Sequence, residues 1–238
     1  MQEIQDSMYF ISQENSNAWE IVHDAASFQE SSCRKILIFG ESGSGKSRLL
    51  FEAEKISESV GKKAACRLSA ERFCSNYLHA LTSKSIRNFR NVLENADILL
   101  FDNIQRLEGS VYAQQELSRI LSRLETQGVP VIITCDRPEV RLPKLVSSLK
   151  GQLMETTMVN LKSMSYAVRV AILHQLAREA EMSLESPGLK SVLHYIADKY
   201  RTDPKEMKAS FCRILWFSKV MEEDVTLDFA NRVLTKKV

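Results

Sequence analysis

"KILIFGESGSGKSRLL", residues 35–50, sets a β-rich apolar run against a glycine-rich loop and then the start of an amphipathic stretch. Within it, "GESGSGKS", residues 40–47, matches the spacing G-x-x-x-x-G-K-[ST] at every position, in the strand-before, helix-after context that gives the pattern its meaning. Gly40, Gly43 and Gly45 let the backbone turn tightly and aim N–H groups at phosphate oxygens. Glu41, Ser42 and Ser44 fill the variable positions of the same cradle. The following helix adds its partial positive charge. Lys46 reaches for the terminal phosphates, and the Ser47 hydroxyl suits Mg²⁺. The expected ligand is therefore ATP or ADP with Mg²⁺.

The rest of the chain supplies the frame. Further strands are predicted at "KAACRL" (63–68), "DILLFD" (97–102) and "VPVIIT" (129–134), alternating with helices at 17–29, 46–60, 69–93 with a break near Ser83, and 113–126. That alternation predicts an α/β fold, a parallel sheet sandwiched by helices. After Glu155 the pattern reads as helices only, roughly 165–181, 187–200, 204–221 and 226–235. Three segments follow: an N-terminal tail (1–16), a P-loop core (17–158) and a small all-helical domain (159–238). Asp203, Pro204 and Glu206 form a helix start with a capping box.

The third strand ends in Asp102, the acid expected to hold Mg²⁺ through water. The next residue is Asn103, where a second acid would activate the attacking water. An amide orients a water but cannot take its proton. Asp102 and Asn103 are the catalytic candidates, and only weak hydrolysis is expected from them.

Composition narrows the partners. The 238 residues are 44% apolar and carry 32 basic against 30 acidic side chains, a net charge of +2. A polyanion-binding protein usually shows a strong basic excess. The five cysteines lack zinc spacing with the four histidines and read as buried thiols in a reducing cytosol. Neither a secretory signal nor a membrane-length apolar run is visible, so a cytoplasmic protein with no membrane association is expected.

Two stretches carry a specific resemblance. "SAERF…ALTSKSIRNFRNVLENADILLFDNIQ" (69–105) and "VPVIITCDRPEVRLPKL" (129–145) resemble the nucleotide domain of the bacterial replication initiator DnaA, over roughly residues 10–235. The resemblance implies an AAA+ core with a helical lid. It places Thr134 and Asp136 in the first sensor region and Lys205 where the family has its second-sensor arginine, a position an ordinary exposed lysine would fill equally well. It sets Asn15 or Asn17, with Ala18, beside the adenine. Ser148, in "KLVSSLK" (144–150), takes the place of the family's trans-acting arginine finger, a group worth roughly 10³–10⁵ in rate. Ser110 and Tyr112 stand where DnaA grips single strands with basic residues, and the DNA-reading domain is expected to be missing. The expected lack of the DNA-reading domain and the Asp102–Asn103 pair resemble Hda proteins, DnaA homologues that inactivate DnaA.

The implied function is an ATP- or ADP-binding regulator of replication initiation that restrains DnaA. It would bind DNA directly only weakly or not at all, and an oligomer is compatible. The alternatives are a degenerate nucleotide-binding adaptor and a helicase-loader-type ATPase. "QDSMYF", residues 5–10, resembles a sliding-clamp docking peptide, with Gln5 at a pocket mouth and Met8, Tyr9 and Phe10 in an apolar cleft. The rival reading packs the same side chains on the core.

Overall fold

The computed structural model describes residues 12, 15–29, 33–62, 64–138 and 142–235. The clamp-peptide reading of Gln5, Met8, Tyr9 and Phe10 falls outside them. The described chain divides into two units, one made of Asn15–Glu41 and Gly45–Lys162, the other of Ser163 onward together with Ser42–Ser44.

The first unit is built on five parallel strands, β1 (Lys35–Phe39), β2 (Ala65–Ser69), β3 (Ile98–Asp102), β4 (Val131–Cys135) and β5 (Thr157–Asn160), in the order β2-β3-β4-β1-β5. The central strands are apolar at nearly every residue because both faces are covered. Leu37 of β1, Leu99 and Phe101 of β3, and Val131, Ile133 and Cys135 of β4 point into one core. Helices α3 (Ala70–Thr82), α4 (Ile86–Glu94), α5 (Val111–Thr126) and α6 (Ser147–Met154) flank that core, which takes in Phe73, Leu93, Leu117 and Leu149. The alternate residues Ile36, Ile38, Ile98, Leu100 and Ile132 are equally buried. On their side α2 (Lys46–Ser59) packs on β2, β3 and β4, and α1 (Ser16–Ala26) on α2.

Four helices make the second unit: α7 (Tyr166–Glu179), α8 (Pro187–Lys199), α9 (Pro204–Met221) and α10 (Leu227–Thr235). Leu173, Val192, Leu193, Ile196, Met207, Phe211, Ile214 and Phe229 form their shared core. Each helix starts on a side-chain cap, from Ser165, Ser186, Asp203 and Thr226, which satisfies N–H groups that the helix itself cannot. The buried Arg169 donates to Ala197 O (2.8 Å) and Met164 O (2.5 Å), tying α7 to the end of α8.

Three elements correct the sequence reading. The stretch after Glu155 is not all helical: Thr157–Asn160 forms edge strand β5, paired with β1 from Ile36 to Phe39. Only Val159 of its four residues is buried, so it lacks the apolar signature of the inner strands. α6 and a 3-10 turn at Ile104–Leu107 were also not expected. No described helix is long and apolar enough to cross a membrane.

Two helices on one face are joined through ions. Arg90 of α4 makes two 2.7 Å hydrogen bonds to the carboxylate of Glu116 on α5, whose side chain is 5% exposed. Arg119 bridges Glu116 and Glu94. The hydrogen bonds from Arg90 hold the Glu116 carboxyl below its ordinary range, against the opposing effect of burial. Removing one partner leaves a buried charge, which costs about 3–5 kcal/mol in a fully buried pair. Arg90 is partly exposed and Arg119 remains, so Arg90→Ala is expected to lower unfolding free energy by about 2 kcal/mol in urea titration. Because the folded carboxyl titrates below the unfolded one, this contribution is complete above the ordinary carboxylate range and is lost as pH falls below it. Glu116→Gln should therefore flatten the acid limb of a stability–pH profile.

Candidate nucleotide site

The strand order brings three carboxyl ends side by side. β1 lies between β4 and β5, and β4 lies between β1 and β3. The loop after β1, Asp102 at the end of β3 and Thr134 near the end of β4 therefore share one edge of the sheet, the place where parallel α/β sheets take ligands. Gly40 N donates to Cys135 O at 3.3 Å, closing the start of the loop against β4.

The loop turns into α2 through two left-handed glycines, Gly43 (φ +82°) and Gly45 (φ +102°), the latter as N-cap. A side chain at either position would be strained. Lys46 and Ser47 open α2. Ser44 is 5% and Lys46 7% exposed, while Glu41, Ser42 and Ser47 face solvent. The Lys46 ammonium donates to Gly40 O (2.7 Å) and Glu41 O (2.8 Å), so the loop's own carbonyls hold it. Burial pushes its pKa down from the ordinary lysine value; Asp102 and then Asp136 pull it back up. A buried ammonium facing two carboxylates is suited to an anion that brings more charge than they do.

Asp102 is fixed by Thr134. The Thr134 hydroxyl, fully buried on β4, donates to Asp102 Oδ1 at 2.5 Å and accepts from the Asn103 backbone N–H at 2.9 Å. Asn103 adopts the left-handed conformation (φ +61°, ψ +51°) that asparagine tolerates better than most residues. Its Oδ1 accepts from Gln105 Nε2 at 3.3 Å. Sequence reasoning missed Gln105, since a residue two places along becomes a neighbour only through the 3-10 turn. It missed Arg137 too, which pairs with Asp136 (3.3 Å) and with Glu108 (2.9 Å). Asp136 is exposed just past β4, with its carboxylate drawn toward that arginine. Burial raises the pKa of Cys135, between Thr134 and Asp136, to about 11, which keeps the thiol protonated and unreactive.

Other candidates sit as follows. Asn15 stands at the N-cap position of α1, and Asn17 and the buried Ala18 lie in its first turn. Lys205 is exposed on the first turn of α9, where Asp203 caps the N–H groups of Lys205 and Glu206. Ser148 is exposed on α6, and Tyr112 is 77% exposed at the start of α5. Among the described residues no cluster of three or more His, Cys, Asp or Glu side chains could hold a metal unaided. One hydroxyl (Ser47) and one carboxylate (Asp102) suit Mg²⁺, which keeps waters and takes remaining ligands from phosphate.

Solved structures share this fold. Domain III of the Thermotoga maritima replication initiation protein DnaA superposes with a TM-score of 0.85 at 20% identity, covering 95% of this chain and 93% of that one. AMPPCP-bound DnaA from Aquifex aeolicus superposes with a TM-score of 0.75 at 24% identity, covering 89% of this chain and 63% of that one. A DnaA bound to AMPPCP and single-stranded DNA gives 0.75 at 23% identity, with coverages of 90% and 66%. At these identities the likeness establishes the AAA+ fold. The bacterial DnaA ATPase domain family itself matches residues 4–160, about two thirds of the sequence. On that match this chain belongs to the bacterial DnaA ATPase domains, the AAA+ nucleotide-binding family of replication initiation.

Proposed function

We propose that this chain binds ATP or ADP with Mg²⁺ and acts as a slow-hydrolysing regulator of replication initiation, restraining DnaA in the manner of Hda. The observation that carries the reading is the pair Asp102–Asn103. The metal-holding acid is kept and braced by Thr134, while the position of the general base is an amide engaged by Gln105. A site that binds nucleotide but turns it over slowly serves as a timer or a state marker better than as a motor. Ser148 in place of an arginine finger and Ser110 and Tyr112 in place of strand-gripping cations support the same reading. One DnaA relative binds single-stranded DNA; here the net charge of +2 supports weak, salt-sensitive contact at most.

In this reading the loop N–H groups and Lys46 take the phosphates. Ser47 and Asp102 hold Mg²⁺, which neutralises charge on the phosphates when bound. Thr134 keeps the Asp102 carboxylate oriented, and Asn103 supplies an uncharged donor beside the terminal phosphate. Asp136 and Lys205 are proposed as sensor positions. DnaA is the proposed partner, and the sliding clamp a second one through residues 5–10. Pull-down with DnaA and clamp, using wild type and a Gln5→Ala/Met8→Ala double variant, tests both. Clamp capture by wild type alone is expected, and DnaA capture by both proteins. Failure to capture DnaA in either nucleotide state overturns the regulator reading.

Calorimetric titration should give a magnesium-dependent affinity for ADP that falls at least about 30-fold in Lys46→Ala, the loss of a charge-assisted contact of about 2 kcal/mol or more. Purified protein should hydrolyse ATP well below about 1 s⁻¹. A turnover at ordinary enzyme rates rules out the slow-switch reading.

A further inference from the structure

Gln105 stands in the 3-10 turn after Asn103, and its amide is used unevenly. Nε2 donates to Asn103 Oδ1 at 3.3 Å. Oε1 is sealed from solvent and accepts no hydrogen bond among the described residues. A buried acceptor without a donor costs free energy, and such a group asks for a reason. An asparagine side chain has one accepting end and one donating end. With Oδ1 taken by Gln105, the end left to offer is Nδ2, a donor. The backbone of Asn103 is held, with its N–H bound to Thr134 and its φ at +61°, so the partner at residue 105 is what sets which way the side-chain amide turns.

We propose that Gln105 is a positioning residue of the nucleotide site, holding Asn103 with its donor end offered to the terminal phosphate so that the amide pair favours nucleoside triphosphate over diphosphate. This rests on the nucleotide-binding reading and deepens it. Only the triphosphate carries the terminal anionic oxygens that an N–H donor stabilises. The same amide turned over would set a carbonyl against those oxygens and penalise the triphosphate alone. Gln105 thus selects the sign of the contact without touching the ligand.

Gln105→Glu tests this by exchanging the donor for acceptors, which obliges Asn103 to turn Nδ2 toward residue 105 and to present Oδ1. Calorimetry with AMPPCP and ADP, on protein whose unliganded thermal midpoint is also measured, should show the triphosphate preference falling about tenfold. In an Asn103→Ala background the same exchange should move the preference less than about twofold, because no amide remains to turn. Added negative charge or loosened structure would instead act equally in both backgrounds, and that result overturns the proposal. So does an unchanged preference in Gln105→Glu when wild type binds both nucleotides. Wild-type protein that binds neither nucleotide overturns the underlying site reading as well. Should Gln105→Glu fail to fold, Gln105→Met removes the donor at similar length. Its preference should fall about threefold, again only where Asn103 is present.

Discussion

One hydroxyl joins the two halves of the site. Thr134 Oγ1 gives its proton to Asp102 and takes one from the Asn103 N–H. The first bond fixes the orientation of the carboxylate. The second pins the chain where it leaves β3 and enters a left-handed residue. Thr134 is fully buried, so neither bond competes with water, and losing the hydroxyl would strand an acceptor and a donor together. The depth of β4 in the sheet is what makes this brace rigid: its neighbours β1 and β3 are themselves covered on both faces.

Charge at this edge is held in tension. Lys46 is drawn out of water, which disfavours its ammonium and lowers its pKa, while Asp102 and Asp136 act in the opposite direction. Its protons are satisfied meanwhile by carbonyls of the loop that it is meant to serve. An incoming phosphate would replace those carbonyls with stronger, charged acceptors. Asp136 is shared with Arg137, and Arg137 with Glu108, so the segment after β4 is linked to the residue that caps the 3-10 turn after β3.

Away from the site, burial and ion pairing divide the labour. The sheet core is apolar on both faces. The one deeply buried acid of α5, Glu116, is matched by Arg90 and Arg119 and joins helices that cover the same face. The helical unit relies on a second apolar core and on capped helix starts, which suits short helices whose unpaired N–H groups are a large share of their backbone.

Much of this was readable along the chain. "GESGSGKS" specified the phosphate loop, because backbone turning and phosphate binding both depend on local residue types. The three inner strands, β1, β3 and β4, were visible because double-sided burial demands continuous apolar runs, and the helices of 166–235 because their periods and caps are local. Asp102 was legible as a strand-end acid, and Asn103 as the amide that follows it. β5 was not legible, since an edge strand gains its identity from pairing with β1 and not from its own composition. The partnership of Thr134 with Asp102 and Asn103, 32 and 31 residues apart, exists only once β3 and β4 lie in register. The capture of Asn103 by Gln105 likewise requires the left-handed turn that tertiary packing imposes. Sequence determined which chemical groups the site contains, because those follow from local pattern; tertiary structure decided which way each group faces, because orientation is set by hydrogen bonds between segments distant in the chain.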